Sequence, residues 1–253
     1  MASTVLFALA LGLIVGSFLN VCIHRLPLRE SVVWPASRCP HCRSAIAPGD
    51  NIPVIGYLRL GGKCRNCGAR ISVQYPIIEL TTAAIFVGAV LLVAPPLLFA
   101  RLAFACAMIV LFVIDLEHRI LPDVITLPGI VIGFVLSFFL PPGWRDSAIG
   151  LLVGGGVLWL MGELYFRVRG EEGMGFGDVK MLAMIGAFLG WKLMILTLML
   201  SSFIGSIVGL GMIVLKRGDM KYALPFGTFL AIAAVFAAAV GEPIVEWYTS
   251  LYF

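Results

Sequence analysis

Long apolar stretches separated by turn-forming residues dominate this sequence and restrict what it can fold into. They cover residues 4–23, 77–94, 97–115, 124–140, 147–166, 178–191, 193–215 and 223–245. A helix of about 20 apolar residues crosses a hydrocarbon layer about 30 Å thick. The chain is 60% hydrophobic and only 13% charged, whereas soluble domains are about 25% charged. The sequence therefore predicts an all-α polytopic membrane protein with about eight transmembrane helices.

Proline and glycine mark where several of these stretches should end. Pro95-Pro96 and Pro141-Pro142-Gly143 interrupt the apolar pattern and are typical of turns between helices. The weakest separator is the pair Trp191-Lys192, because it brings only one charged residue.

The N-terminal segment MASTVLFALALGLIVGSFLNVCIHR could be read as a secretory signal peptide. A signal peptide carries basic residues before its apolar run, but no Lys or Arg precedes Arg25. The apolar run also reaches about 20 residues, which is long enough to span a membrane. We interpret the segment as a retained first helix whose N-terminus lies outside the cytoplasm.

Residues 24–76 differ in composition from the rest of the chain. They hold eight of the 18 Lys and Arg and four of the six Cys, with many Pro, Gly and Asn. We therefore expect three parts. These are a first transmembrane helix over 1–23, a small polar domain over 24–76 and a seven-helix membrane domain over 77–253.

The basic residues are distributed unevenly between the two sides that eight spans would create. The side holding 24–76, 116–123, 167–180 and 216–221 carries 15 Lys and Arg, whereas the other side carries three. Those three are Arg101, Arg145 and Lys192. Because cytoplasmic loops are enriched in Lys and Arg, the basic side is predicted to be cytoplasmic. Both termini then lie outside the cytoplasm, since an even number of spans returns the chain to the same side.

Two CxxC pairs, Cys39-Pro-His-Cys42 and Cys64-Arg-Asn-Cys67, lie 21 residues apart in the polar segment. Four thiolates at such a spacing are typical of a tetrahedral zinc site. Two disulfides are disfavoured by the cytoplasmic placement, and one redox CxxC would not account for two pairs. We therefore predict a structural zinc site with four cysteine ligands in the cytoplasmic domain over 24–76, between the first and second transmembrane helices.

The other cysteines and the histidine beside the first pair are not expected to bind the metal. Cys22 and Cys106 lie in apolar stretches, where a free cysteine packs as a small hydrophobic residue. His41 lies between two predicted ligands and is expected to be a bystander.

Four acidic residues lie inside or at the edge of apolar stretches, namely Glu79, Asp115, Glu163 and Asp178. Ionisable groups in such places are costly, so each is a candidate for a function. Asp115 ends one stretch and Asp178 begins another, and the predicted topology places both at the cytoplasmic surface. Two carboxylates at one depth can meet. One, ionised, would activate a water while the other, protonated, polarises a scissile carbonyl.

Glycines at positions 173, 175 and 177 precede Asp178 in the segment GMGFGDVK. Glycine permits backbone conformations closed to other residues, and it lets a peptide approach closely. The start of a helix also favours a negatively charged side chain. The simpler alternative is that Asp178 is only an N-cap and Asp115 only a residue at the membrane edge. In combination with the glycines, the enzyme interpretation is preferred.

Secondary roles are expected for Asp123 and for two of the four acidic residues named above. Asp123, in ILPDVITLP, is a candidate N-cap and could also support Asp115 or compete with it as the catalytic partner. Glu79, in YPIIEL, is expected to be a packing or substrate-contact residue, and Glu163 to lie near a helix end.

Taken together, these motifs resemble a known family. GFGD matches the GxGD motif of membrane aspartyl peptidases. With VIDLEHRILPDVITLP, the two CxxC pairs, GSFLNVCIHRLP and ALPFGTFLA, the sequence closely resembles the bacterial type IV prepilin peptidases from residue 12 to about 231. GxGD alone would be a weak signal, but the ordered set is specific. The sequence departs from the family pattern in a short segment between Arg25 and Cys39.

The resemblance implies a bacterial inner-membrane enzyme that removes the basic leader from prepilins and pseudopilins of type IV pili and type II secretion systems. Cleavage would occur on the cytoplasmic side, after the glycine that precedes the new N-terminal residue. The family's catalytic pair maps onto Asp115 and Asp178, and its zinc ligands map onto the four cysteines of the CxxC pairs. The expected partners are these substrates and membrane lipid. The net charge of +4 is small and gives no indication of a nucleic-acid partner.

The resemblance also implies a second activity, because many bacterial members methylate the new amine with S-adenosylmethionine. The cysteine-rich domain favours this bifunctional type. No GxGxG loop follows a strand, so no motif predicts the cofactor site. The polar candidates for cofactor binding are Asn20, Arg25, Asn51 and Glu79. A peptidase without methyltransferase activity stays open as an alternative.

Two other classes of protein fit parts of the pattern. A transporter or channel could use the carboxylates to bind an ion or proton, but the sequence suggests no inverted repeat with paired broken helices. A membrane scaffold bearing a zinc ribbon would account for the cysteines but not for the glycines beside Asp178.

Overall fold

The computed structural model describes residues 1–171, 175–215 and 225–251, and within these ranges it is helical with no β-strand. The elements are α1 Ala2–Arg25, α2 Ile55–Arg59, α3 Gln74–Leu92, α4 Pro95–His118, α5 Asp123–Leu136, α6 Trp144–Arg169, α7 Phe176–Val214 and α8 Phe226–Ser250, with a short 3-10 turn Pro48–Asp50. Three features of the sequence prediction lie outside the described residues, namely Gly173, the basic segment 216–221 and the first two residues of ALPFGTFLA.

Six helices in the described part of the chain are long and apolar enough to cross a membrane, namely α1, α3, α4, α6, α7 and α8. The helix α5 is apolar but has only 14 residues. Within the described residues each of the eight predicted stretches overlaps a helix, since α7 includes nearly all of both 178–191 and 193–215. The all-α membrane fold is confirmed, with six helices in the described residues that are long enough to span a membrane, one of which (α7) has double length, and one short apolar helix.

A break at Gly190 divides the unusually long helix α7 into two parts. A straight helix of 39 residues would be about 58 Å long, nearly twice the hydrocarbon thickness. Gly190 has φ 76° and ψ 172°, which interrupts the helix. A Cβ at this position would also lie 2.8 Å from Cβ of Pro142. The break lies one residue before the predicted separator Trp191-Lys192, and only glycine satisfies both the backbone and the space.

The described chain forms two compact units, residues 1–98 and residues 99–253. In the first unit, α1 packs against α3 at very close range. A Cβ added to Gly12 would lie 2.6 Å from Cα of Ala83, and one added to Gly16 would lie 2.7 Å from Cα of Glu79. Glycines four residues apart are a common contact surface between membrane helices because they let the backbones approach. The predicted division at residues 23/24 and 76/77 stays a prediction.

The second unit has its buried core between α4, α7 and α8. The fully buried side chains Met108 and Leu111 of α4 pack with Met181 and Ile185 of α7 and Leu230 of α8. Where α6 crosses α7, a Cβ at Gly186 would lie 2.1 Å from the carbonyl oxygen of Gly150. These contacts bring the end of α4 and the starts of α7 and α8 together.

Candidate active site and metal site

Asp115 lies near the end of α4 and is 5% exposed. Its Oδ2 accepts a hydrogen bond of 2.6 Å from the backbone N–H of Thr228 and one of 2.9 Å from the Thr228 hydroxyl. Thr228 is the third residue of α8. The buried carboxylate therefore takes up an N–H group at the start of α8 that has no acceptor within its own helix.

Asp178 is the third residue of α7 and is partly buried. Its carboxylate interacts electrostatically with that of Asp115 and with the backbone N–H of Gly227. The N-cap of α7 is Gly175, and no side chain caps this helix end. The alternative in which Asp178 is only an N-cap is therefore wrong. The structure brings together the two aspartates that the sequence analysis singled out, although 63 positions separate them.

Both carboxylates thus converge on the N-terminal turn of α8. Backbone N–H groups of Gly227 and Thr228 point toward them, and the helix dipole is positive at this end. This arrangement offsets the cost of placing two acidic groups in a buried, apolar surrounding. It also leaves the two carboxylates close enough to interact electrostatically.

The described glycines before Asp178 leave room for neighbouring side chains, and they do not adopt unusual backbone angles. Among the described glycines, neither Gly175 nor Gly177 has a positive φ, contrary to the prediction. A Cβ at Gly177 would instead lie 3.0 Å from Cβ of Leu121, and one at Gly175 would lie 3.4 Å from Oδ2 of Asp178. The side chain of Leu121 reaches α8 as well, 3.0 Å from the Cβ position of Gly227. Leu121 therefore fills the space between the starts of α7 and α8.

Asp123 is the first residue of α5, and the predicted N-cap role is wrong. The N-cap is Pro122, and no side chain caps this helix. Asp123 forms an ion pair with Lys180 of α7, two residues after Asp178. Lys180 also lies 5.2 Å above the ring of Phe176. The pair ties the start of α5 to the start of α7, beside the two aspartates.

Glu163 is not part of this cluster. It lies six residues before the end of α6 and pairs with Arg167 at 2.8 Å, four residues further along the same helix. This is an ordinary pair along one helix, and the Arg167 side chain is 73% exposed.

The four predicted ligand cysteines Cys39, Cys42, Cys64 and Cys67 form one cluster with all sulfurs within 4.8 Å of one another. Sγ of Cys39 lies 3.8 Å from that of Cys67, and Sγ of Cys42 lies 4.0 Å from that of Cys64. Four sulfurs each about 2.3 Å from one tetrahedral Zn²⁺ would be about 3.8 Å apart. The donor set and its dimensions fit a metal ion. His41 is not among the residues of this cluster.

Each CxxC pair lies in a tight turn of the same design. The backbone N–H of Arg43 donates to the carbonyl of Cys39, and that of Gly68 donates to the carbonyl of Cys64. Arg43 and Gly68 both have positive φ, 56° and 71°. The residue after each pair thus turns the chain back, which aims both cysteines of a pair at one point.

Hydrogen bonds within these turns lower the pKa of two of the thiols. The Ser44 hydroxyl, followed by the Ser44 backbone N–H, lowers the pKa of Cys42 to about 6. Backbone N–H groups of Cys67 and Asn66 lower the pKa of Cys64. Thiolates are the form that binds metal, so the folded turns favour the ligand form of these residues.

A chain of polar contacts connects the second cysteine turn to α3 within the first unit. Arg65 donates to both carboxylate oxygens of Asp50, which holds the pKa of Asp50 below its usual value. Four residues later, the backbone N–H of Val54 donates to Oε2 of Glu79 at 2.7 Å. Val54 has φ 60°, a strained angle for a β-branched residue. Glu79, which is buried, therefore holds this loop in place.

The four residues predicted for cofactor binding are placed in the first unit, and three of them are engaged within the protein. Buried Asn20 donates to the carbonyls of Gly16 and Tyr75. Arg25 donates to the carbonyls of Ser31 and Pro35. Glu79 accepts from the Val54 loop, and Asn51 is exposed at the end of the 3-10 turn.

Several residues that the structure places at or near the aspartates were not predicted from the sequence. They are Leu121, Lys180, Gly227 and Thr228. A signal for Thr228 exists, because PFGT precedes an apolar run and polar residues at a helix start are common partners for anions. Nothing local in the sequence marks Leu121 or Lys180.

Two family models match the chain. The model described as Bacterial Peptidase A24 N-terminal domain covers residues 10–93, and the model described as Type IV leader peptidase family covers residues 102–210. Curated proteins called prepilin leader peptidase/N-methyltransferase are similar over nearly their whole length. The protein from Aeromonas hydrophila is 38% identical, over 94% of this chain and 91% of its own.

Two further proteins of the same description support the comparison. One from Pseudomonas aeruginosa is 38% identical over 96% of this chain and 93% of its own. One from Burkholderia pseudomallei is 35% identical over 94% of this chain and 85% of its own. These matches do not favour the transporter or scaffold alternatives. No solved structure matches the chain significantly.

Proposed function

Because this chain belongs to the type IV leader peptidase family, we propose that it removes the leader from type IV prepilins and pseudopilins and N-methylates the new N-terminal residue. The family expected from the motifs is confirmed by the family models and by the curated relatives. The reaction classes are those in the name of the relatives, and the residues that carry them out are proposed from the geometry.

The catalytic pair of this proposal is Asp115 and Asp178. The observation that carries it is the convergence of both carboxylates on the N-terminal turn of α8, where Thr228 donates to Asp115 and the backbone N–H of Gly227 interacts with Asp178. One carboxylate acts as general base toward a water, and the other donates a proton to the carbonyl oxygen of the scissile peptide bond. Attack of the water forms a tetrahedral intermediate, and its collapse breaks the C–N bond and releases the new amine.

The supporting residues keep this pair in place. Leu121 packs between the starts of α7 and α8, and Asp123 fixes Lys180 on the first turn of α7. Gly175 and Gly177 leave room for Asp178 and Leu121. A substrate backbone can then approach the carboxylates without meeting side chains at these two positions.

The location of the pair suits the proposed substrate. A prepilin has a basic leader followed by an apolar helix, which can lie among the membrane helices while the leader stays in the cytoplasm. The scissile bond would then lie at the membrane surface. We propose the inner membrane of a bacterium, with both termini outside the cytoplasm, because the eight spans predicted from the sequence would place 15 of the 18 Lys and Arg on the side of the aspartates.

For the cysteine cluster we propose one structural Zn²⁺ per chain. The sulfur separations support this proposal, as does the absence of an open coordination position in a four-thiolate site. The ion would hold the two cysteine turns together.

For the methylation we propose S-adenosylmethionine as the donor, on the strength of the relatives' name. Asn20, Arg25, Asn51 and Glu79 stay the predicted binding residues, although three of them already have partners in the protein. The cofactor supplies an electrophilic methyl group. Mass spectrometry of the mature substrate after incubation with S-adenosylmethionine tests this half, and an unmodified amine in a complete reaction would restrict the enzyme to peptidase activity.

The peptidase is tested by cleavage of a synthetic prepilin by purified enzyme. Asp115→Asn and Asp178→Asn should each remove activity while the protein still inserts and binds metal. Glu163→Gln is the matched control, because Glu163 is a helix carboxylate that pairs only with Arg167 among the described residues. Cleavage at the wild-type rate by either aspartate variant would refute the assignment.

A further inference from the structure

Arg101 of α4 and Glu242 of α8 form an ion pair at the opposite end of these helices from the aspartates. Nη2 of Arg101 lies 3.4 Å from Oε1 of Glu242. The Arg101 side chain is only 10% exposed, whereas that of Glu242 is 61% exposed. Nη1 of Arg101 is buried and has no hydrogen-bond partner among the described residues. A charge in this position is costly, so a role is expected.

The ion pair and the contact between Asp115 and Thr228 are separated by the same number of residues on both helices. Asp115 follows Arg101 by 14 positions in α4, and Glu242 follows Thr228 by 14 positions in α8. The two helices are therefore antiparallel and are joined by polar contacts at two heights. At 1.5 Å per residue, these contacts are about 21 Å apart along both helices.

Between the two contacts, the large buried side chains of α8 lie beside Thr228. They are Phe229 and Leu230, and Leu230 packs in one core cluster with Met108 and Leu111 of α4. Further toward Glu242 the buried positions of α8 are small, namely Ala231, Ala233, Ala234, Ala237 and Gly241, and a Cβ at Gly241 would meet Leu193 and Leu196 of α7. Small residues allow close approach but provide little interlocking that would oppose sliding along the axis. At the Glu242 end, packing alone therefore specifies the register of α8 on α4 weakly.

A buried ion pair is weak evidence for stability, but setting the register between helices is its best-attested use. We propose that Arg101 and Glu242 are positioning residues that fix the register of α4 and α8 and thereby hold Asp115 on the first turn of α8. The consequence for catalysis rests on the proposed function, whereas the register itself does not.

The experiment compares Arg101→Gln, Glu242→Gln, Arg101→Lys and the charge-reversed double variant R101E/E242R with the wild type. Arg167→Gln is the matched control, since it breaks an ion pair within one helix. With a synthetic prepilin, each Gln variant should lower kcat by about 10- to 100-fold, the loss typical of an ångström-scale misplacement. KM should change by less than about twofold, since in this proposal the substrate contacts are kept. Arg101→Lys and the double variant should recover most of kcat.

Hydrogen exchange of the first turn of α8 provides a readout that does not need activity. In the Gln variants, exchange should rise at Phe226–Leu230, where Thr228 N–H is held by Asp115, and stay near the wild-type rate in α6. If wild type and Arg167→Gln both fail to cleave, the proposed function fails, and the exchange data still test the register.

Two results would overturn the inference. One is a kcat within about twofold of wild type in folded Arg101→Gln and Glu242→Gln. The other is a reversed variant that is as defective as the single variants, because the loss would then come from local packing and not from the pair. If Arg101→Gln does not fold, Glu242→Gln decides, since the Glu242 side chain is mostly exposed.

Discussion

The carboxylate of Asp115 is bound by Thr228, a residue 113 positions further along the chain, through both the backbone N–H and the hydroxyl. Asp178 joins the same helix start through the N–H of Gly227. The N-terminal turn of α8 thus supplies donors to two acidic groups from two other helices. In the proposed peptidase, this turn orients the catalytic pair.

The first prediction concerns the hydroxyl of Thr228. Thr228→Val keeps the shape of the side chain but removes a hydrogen bond to a charged group, which contributes about 1.5–3 kcal/mol. We expect kcat for prepilin cleavage to fall about 10-fold or more, while Thr228→Ser retains most of it. Thr249→Val is the control, because the Thr249 hydroxyl bonds only to the backbone at an exposed site. Equal activities of the Val and Ser variants would contradict the role of the hydroxyl.

The second prediction concerns the space between Gly177 and Leu121. A Cβ at Gly177 would press on the Leu121 side chain at 3.0 Å. Gly177→Ala should lower cleavage severalfold by shifting the start of α7, and the double variant with Leu121→Ala should recover part of the loss because the contact is relieved. Gly156→Ala is the control, since nothing lies within 4 Å of its Cβ position. Additive losses in the double variant would show that the two residues act independently.

The third prediction concerns the break in α7. An alanine at Gly190 must adopt φ 76° and meets Pro142 at 2.8 Å. The backbone strain costs about 1–2 kcal/mol, and the collision adds to it. Gly190→Ala should therefore lower the midpoint of thermal unfolding in detergent by several degrees. Gly88→Ala in α3 should leave it nearly unchanged, because its Cβ position is free of contacts within 4 Å. An unfolding midpoint unaltered by Gly190→Ala would mean that α7 can straighten.

The fourth prediction concerns the metal. Purified protein should contain about one zinc ion per chain, and Cys64→Ser should abolish it. Because the ion closes the two cysteine turns, its loss or its removal by a chelator should increase proteolysis within residues 24–76. Cys106→Ser is the control, since Cys106 lies in α4 and outside the cluster. Metal-free protein with unchanged protection of this segment would refute a structural role.

Local sequence patterns were sufficient to predict much of the fold and of the candidate sites of this protein. Apolar runs predicted the helices because a membrane helix must satisfy its backbone groups internally and present apolar side chains to lipid. The two CxxC pairs predicted the cluster of four sulfurs, since metal-ligand spacing is set by one short turn each. Asp115 and Asp178 stood out because carboxylates are rare at the edge of apolar stretches.

The sequence alone thus determined which segments are helices, which cysteines cluster and which two aspartates to consider. The tertiary structure decided how α8 binds Asp115, how Asp123 pairs with Lys180 and how Arg101 pairs with Glu242, partners 113, 57 and 141 positions apart. It also showed why Gly175 and Gly177 are glycines. They leave room for neighbouring groups, whereas the sequence had suggested that they adopt unusual backbone angles. Helix formation depends on neighbours along the chain, whereas these contacts depend on which helix faces pack together, and no local pattern encodes that.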